Sequence, residues 1–103
     1  MLILREDIPG TYFAEHASDA GIRAAVSSYR AWNALTVGAV WQTPPDIKAA
    51  HPKASILKSG RVVFNIKGND YRLICKVDYL EQIVEIRWFG SHEDYDVVDA
   101  EMI

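Results

Sequence analysis

With 103 residues, the chain has material for a modest hydrophobic core and too little for two, so residues 1–103 are read as a single domain. Half the residues are apolar and 24% are charged, which is ordinary globular composition; no apolar run is long enough to cross a membrane, and Met1–Leu4 is too short for a signal-peptide core. The net charge of −3 argues against a general nucleic-acid binder, and the single cysteine excludes an intrachain disulfide or a multi-cysteine zinc site.

Leu2–Leu4 reads as a short apolar strand at a sheet edge. Pro9-Gly10-Thr11 is expected to break the chain, with Thr11 capping a short helix through His16. Ser18 or Asp19 then caps a longer helix. In it, Ile22, Ala25, Val26, Tyr29, Trp32 and Asn33 follow the i, i+3, i+4, i+7 spacing, and Gly38 lies near its end. That stripe is the natural cover for a sheet, so Tyr29 and Trp32 are core residues and not a stacking platform. His16, at a helix end, reads as a surface residue. Thr43-Pro44-Pro45-Asp46 starts another helix: threonine caps, proline takes the first position and aspartate adds favourable charge. Lys48 projects from it, and His51-Pro52 stops it. Ala54–Lys58 is a further candidate strand, turning at Ser59-Gly60.

Arg61 to Tyr95 organises the rest. Arg61–Lys67 and Tyr71–Tyr79 alternate with period two, and Ile83–Phe89 is strand-like. Gly68-Asn69 makes a hairpin turn, which sets Asn65 opposite Arg72 and Arg61 opposite Lys76. A second turn centred on Leu80-Glu81-Gln82-Ile83 sets Lys76 beside Arg87, Cys75 beside Trp88 and Arg72 beside Ser91. One face then carries Phe64, Tyr71, Leu73, Cys75, Val84, Ile86 and Trp88, and needs a cover. Cys75 is there as a buried small hydrophobe, which fits a reduced cytosolic compartment. The opposite face carries Asn65, Arg72, Phe89 and a row of Arg61, Lys76 and Arg87. Like charges facing each other in a sheet cost up to about 1 kcal/mol per pair. The row is therefore either an anion site or a solvated face with splayed side chains.

Charge is unevenly spread. Residues 48–76 hold seven basic side chains and one acidic one, whereas residues 77–103 hold eight acidic side chains and one basic one. A local anion site beside an acidic tail fits this better than a broad electrostatic footprint. Gly60 and Gly68 are isolated turn glycines, so there is no phosphate loop, and no histidine pair has metal-ligand spacing. What remains is the cationic row, Asn65 beside Arg72, and His92 three residues before Tyr95 on a short helical turn. That set suits phosphodiester cleavage without a metal or other cofactor. The reaction needs a base for the ribose 2′-hydroxyl, cations for the phosphorane and an acid for the leaving 5′-oxygen.

Three ordered blocks carry a resemblance: WQTPPDIKAA at 41–50, ASILKSGRVVFNIKGNDYRLICKVDY at 54–79 and IRWFGSHEDYDVVDAEMI at 86–103. Together they resemble the HigB-type toxins of bacterial type II toxin–antitoxin pairs, within the RelE-like group; residues 1–30 match loosely. The resemblance implies an α+β fold, an antiparallel sheet with N-terminal helices packed on one face. It implies a cytoplasmic mRNA endonuclease acting at the 70S ribosome, held inactive by a helix-turn-helix antitoxin of the HigA type. By position it implies Arg72, Arg87, His92 and Tyr95 as catalytic residues. Arg72 and Arg87 would bind the scissile phosphate, His92 would act as acid or base, and Tyr95 would position the 2′-hydroxyl or share proton transfer. Lys48, Lys53, Arg61, Asn65, Lys67 and Lys76 would hold RNA. RelE-like toxins are usually basic and this chain is acidic. A second reading is therefore a catalytically weak homologue that binds its antitoxin and co-regulates transcription. A third is an independent RNA-binding module. An exposed edge at Met1–Leu4 or Ala54–Lys58 would suit strand addition by an antitoxin segment.

Overall fold

A computed structural model describes residues 1–103. β1 (Leu2–Leu4), α1 (Asp7–Glu15), α2 (Ile22–Val37) and α3 (Pro44–Ala50) precede β2 (Ser55–Ile56), β3 (Arg61–Ile66), β4 (Tyr71–Asp78), β5 (Ile83–Ser91) and α4 (His92–Tyr95). The strands form one sheet in the order β1-β5-β4-β3-β2, antiparallel except for the parallel β1–β5 pair. The fold class is α+β, as expected, and both candidate edge strands are edges, although β2 is only two residues long.

The first two helices begin in places that the cap residues do not announce. α1 runs straight through Pro9-Gly10-Thr11, and Thr11 caps nothing. The first N–H groups of a helix have no partner within it, so Pro9 in the first turn forfeits no hydrogen bond. α2 starts from Gly21, not from the side chain of Ser18 or Asp19. Gly21 has φ of +81°, and the Asp19 carbonyl accepts the Ile22 N–H. α3 follows expectation: Pro44 is at the first position, and the Asp46 carboxylate accepts the Thr43 N–H at 3.1 Å to close a capping box.

α2 buries Ile22, Ala25, Tyr29 and Trp32 against the sheet, where they meet Phe64, Ile66, Leu73, Cys75, Val84 and Ile86. Phe64 is the centre of an aromatic group, with Trp32, Trp41 and His51 rings 5.1–6.1 Å away. Each such pair contributes about 0.5–1.5 kcal/mol beyond its burial. Cys75 is fully buried, and burial pushes its thiol pKa up.

The β3–β4 register is the expected one, from Arg61 opposite Lys76 to Ile66 opposite Tyr71. Its turn differs in detail: Lys67 and Gly68, not Gly68 and Asn69, take positive φ (52° and 61°). The Lys67 N–H is held by the Ser28 hydroxyl of α2 at 2.8 Å.

The β4–β5 register corrects the sequence reading. Lys76 faces Glu85, Cys75 faces Ile86 and Arg72 faces Gly90; Lys76 is not beside Arg87, Cys75 is not beside Trp88, and Ser91 faces Tyr71. The Asp78 carboxylate accepts the N–H groups of Leu80 and Glu81, starting the turn early, and Gln82 closes it with φ of 58°. A bulge between Ile74 and Cys75 then leaves Arg87 as the extra residue of β5. One inserted residue reverses the side taken by every later side chain. Phe89 accordingly joins the helix-side core, and Trp88 goes to the other face, the reverse of the sequence assignment.

That other face is not solvated throughout. Residues 95–103 fold back over it, and Ala100 is buried against Val63 and Ile74, with Leu57, Trp88, Tyr95, Val98 and Ile103 around them. Alternation along β3 and β4 supplied this second apolar patch through Val63 and Ile74.

Candidate active site

Arg72 is the most fully fixed of the candidate side chains. It is 9% exposed, yet no carboxylate pairs with it. Nη1 donates to the carbonyls of Asn69 (2.9 Å) and Tyr71 (3.1 Å), and Nη2 donates to Asn69 Oδ1 at 2.9 Å. Its guanidinium lies over the Tyr95 ring, 5.7 Å from the centroid. A guanidinium has five N–H donors, and three bonds leave two for a ligand. Asn65 faces Arg72 across the ladder but does not bond to it; Asn69 does. Asn69 is therefore a positioning residue read only as a turn residue from sequence, and its place three residues before Arg72 was the available signal.

Tyr95 is placed by the bulge. Trp88, turned to this face, lies 6.3 Å from the Tyr95 ring. The Trp88 ring in turn crosses Gly90: a Cβ there would come within 2.6 Å of it. Gly90 was missed from sequence because the need for it arises only after the pleat reverses.

His92 opens α4, and Ser91 caps that turn by accepting the Asp94 N–H at 3.1 Å. The His92 N–H bonds the Asp70 carbonyl at 2.9 Å, tying α4 to the β3–β4 turn. The imidazole is 46% exposed and borders an open cleft of about 390 Å³ with Lys67, Asn69, Asp70 and Tyr71. Lys67 pairs with Asp70 at 3.2 Å, and Asp96 lies 3.9 Å from His92 Nδ1. Two groups therefore meet at Asn69: the Arg72–Tyr95 pair, which Asn69 bonds, and the His92–Lys67 cleft, which Asn69 lines.

The rest of the expected set is dispersed. Arg87 pairs with Glu85 at 2.9 Å and borders a different hollow with Arg5 and Ile103. It lies three residues along β5 from Gly90, the partner of Arg72, a separation of roughly 10 Å. The row of Arg61, Lys76 and Arg87 does not form, because Glu85 occupies the third place. Arg61 is 9% exposed and clamps the C-terminal segment, donating to the Ile103 carbonyl through Nε (3.2 Å) and Nη2 (2.8 Å). Lys48 is tethered to the carbonyls of Pro52 and Ala54. Lys53 and Asn65 border a separate hollow beside His51, and Lys76 is exposed. No group of three His, Cys, Asp or Glu side chains is placed to hold a metal ion.

The family model HigB toxin, described as the RelE-like toxic component of a toxin–antitoxin system, matches residues 25–98. The chain belongs to the HigB toxin family. No curated protein matches it. The HigB match takes in every candidate site residue from Lys48 to Tyr95, and leaves β1, α1 and residues 99–103 outside. As the toxic component of a toxin–antitoxin pair, a HigB-family chain has an antitoxin as its partner.

Proposed function

We propose that this HigB-family toxin is a ribosome-associated mRNA endonuclease that cleaves by attack of the ribose 2′-hydroxyl, without a metal. One observation carries the reading: Arg72 is a nearly buried guanidinium with no carboxylate partner, oriented by Tyr95 and by Asn69, and Asn69 also lines the cleft of the exposed His92. A cation held so costs no reorganisation when charge grows on a phosphorane. Arg72 binds the scissile phosphate with its two free donors. His92 takes the proton from the 2′-hydroxyl or gives one to the departing 5′-oxygen, and a water molecule makes the other transfer. The 2′-oxygen bonds to phosphorus as the 5′-oxygen leaves, and the product carries a 2′,3′-cyclic phosphate. Lys67 meets the RNA backbone by exchanging its Asp70 partner for a phosphate, and Tyr95 positions Arg72 or the 2′-hydroxyl. Arg87, held by Glu85, serves as an outlying contact to flanking RNA, as do Lys53, Asn65 and Lys76. Action on translating mRNA places the protein in the cytoplasm.

A second reading has its own observation. Residues 95–103 occupy the sheet face that holds Arg61, and Glu93, Asp94 and Asp96 surround His92. A weakly active or inactive toxin, working mainly through its antitoxin as a transcriptional co-regulator, fits this cover. Expression without the antitoxin separates the two. The nuclease reading expects growth arrest with shortened transcripts. Harmless overproduction of folded protein that binds the antitoxin tightly would overturn it in favour of the second.

A further inference from the structure

We infer that the groove between α1 and α2 receives an acidic amphipathic helix of the antitoxin. The inference rests on family membership and not on the nuclease reading. The groove is an open hollow of about 360 Å³ floored by Phe13, Ile22 and Val26. Arg23 and Arg30 border it, both exposed, and neither makes an ion pair or a side-chain hydrogen bond within the chain. They are seven residues apart on α2, two turns or about 10.5 Å along its axis. An occupant must bring carboxylates to two arginines on that spacing and an apolar side chain to the floor between them. A helix with acids at i and i+7 and an apolar residue between does both, and each arginine fork takes a carboxylate in bidentate fashion.

Other occupants fit less well. A phosphate backbone offers nothing to the apolar floor. Phe13 is no stacking platform, because its ring already packs edge-on against Tyr29 and Phe89. A second copy of this chain fits less well: α2 contains no acidic residue, α4 has four residues, the one acid of α3 caps its own helix, and in α1 Asp7 is already paired with Arg5. The groove lies on the helix side of the sheet and Arg72 packs with Tyr95 on the other, so this contact leaves the Arg72–Tyr95 pair uncovered.

The test is calorimetric titration of the full chain with its purified co-encoded antitoxin at low and high salt. R23E/R30E should weaken binding by about tenfold or more per arginine and remove most of its salt dependence. Ser27→Trp, which fills the groove from an exposed position, should weaken binding without changing charge. Both variants should melt as wild type does. Unchanged affinity in both variants overturns the inference. So does intact antitoxin binding accompanied by lost RNA binding or lost self-association, which would make the groove a nucleic-acid or homomeric surface. Failure of the nuclease reading leaves these affinities untouched.

Discussion

The Arg72 guanidinium lies 5.7 Å from the centre of the Tyr95 ring, is fixed by Asn69, and has no carboxylate to neutralise it. Replacing Arg72 with lysine keeps the charge and loses the planar fork that meets both Asn69 groups. Cleavage by Arg72→Lys should fall about 10²-fold or more, comparable to removing an oxyanion donor. Asn69→Ala should lose less, with the melting temperature nearly unchanged. Single-turnover cleavage rates and thermal melts check both.

Gly90 is where the bulge is felt. Its partner across the ladder is Arg72, and its missing Cβ makes room for the Trp88 ring. Gly90→Ala should destabilise the fold by about 1–3 kcal/mol, the usual cost of overpacking. It should also lower cleavage, because Trp88 moves against Tyr95. A melt, together with the shift in Trp88 fluorescence against a Trp88→Phe reference, reads this out.

Arg61 separates a structural clamp from an RNA contact. Its bonds go to the carbonyls of Ile103 and Ser59. Arg61→Ala should cost about 1.5–3 kcal/mol, the range for hydrogen bonds to charged groups. For a domain of this size that is about 4–8 °C in Tm per kcal/mol. Cleavage at a temperature where the variant is folded should be close to wild type. A large cleavage loss with unchanged stability would restore the RNA-contact role expected from sequence.

Much of this was legible before the coordinates. Period-two alternation and the Gly68 turn set the β3–β4 register, and the spacing of Ile22, Ala25, Tyr29 and Trp32 identified the covering helix. The cap at Thr43 was equally plain. The candidate site was legible only in part. Arg72 and Tyr95 do come together and His92 lines a cleft that shares Asn69 with them, but Arg87 does not join them, because one bulged residue redirects β5. A bulge leaves no mark in a string that already alternates poorly, as Ile83–Phe89 does. The C-terminal cover was hidden for a similar reason: its acidic composition masks the apolar side chains of Val98, Ala100 and Ile103 that pack on Val63 and Ile74.

His51 predicts how stability varies with pH. Its ring is half-buried against Trp41 and Phe64, its Nε2 has no partner, and burial lowers its pKa below the ordinary 6.5. The unfolded chain therefore takes up a proton first as pH falls. This contribution is neutral above about 6.5 and destabilises the fold as pH drops through that value toward the lower folded pKa. His51→Phe should flatten the fall in melting temperature between about pH 7 and pH 5. An unchanged slope would place the acid sensitivity elsewhere.

The most direct measurement is cleavage of mRNA in a purified translation reaction by wild type, Arg72→Ala and His92→Ala, with fragment ends mapped. Wild type should release fragments ending in a 2′,3′-cyclic phosphate. His92→Ala should melt normally, Arg72→Ala should melt lower because it loses three hydrogen bonds, and at a temperature where both are folded each should cut about 10²–10⁴-fold more slowly, the range for losing a charge-stabilising donor or a general acid or base. Folded variants that cut at the wild-type rate would contradict the central claim that Arg72 and His92 act on the scissile phosphate.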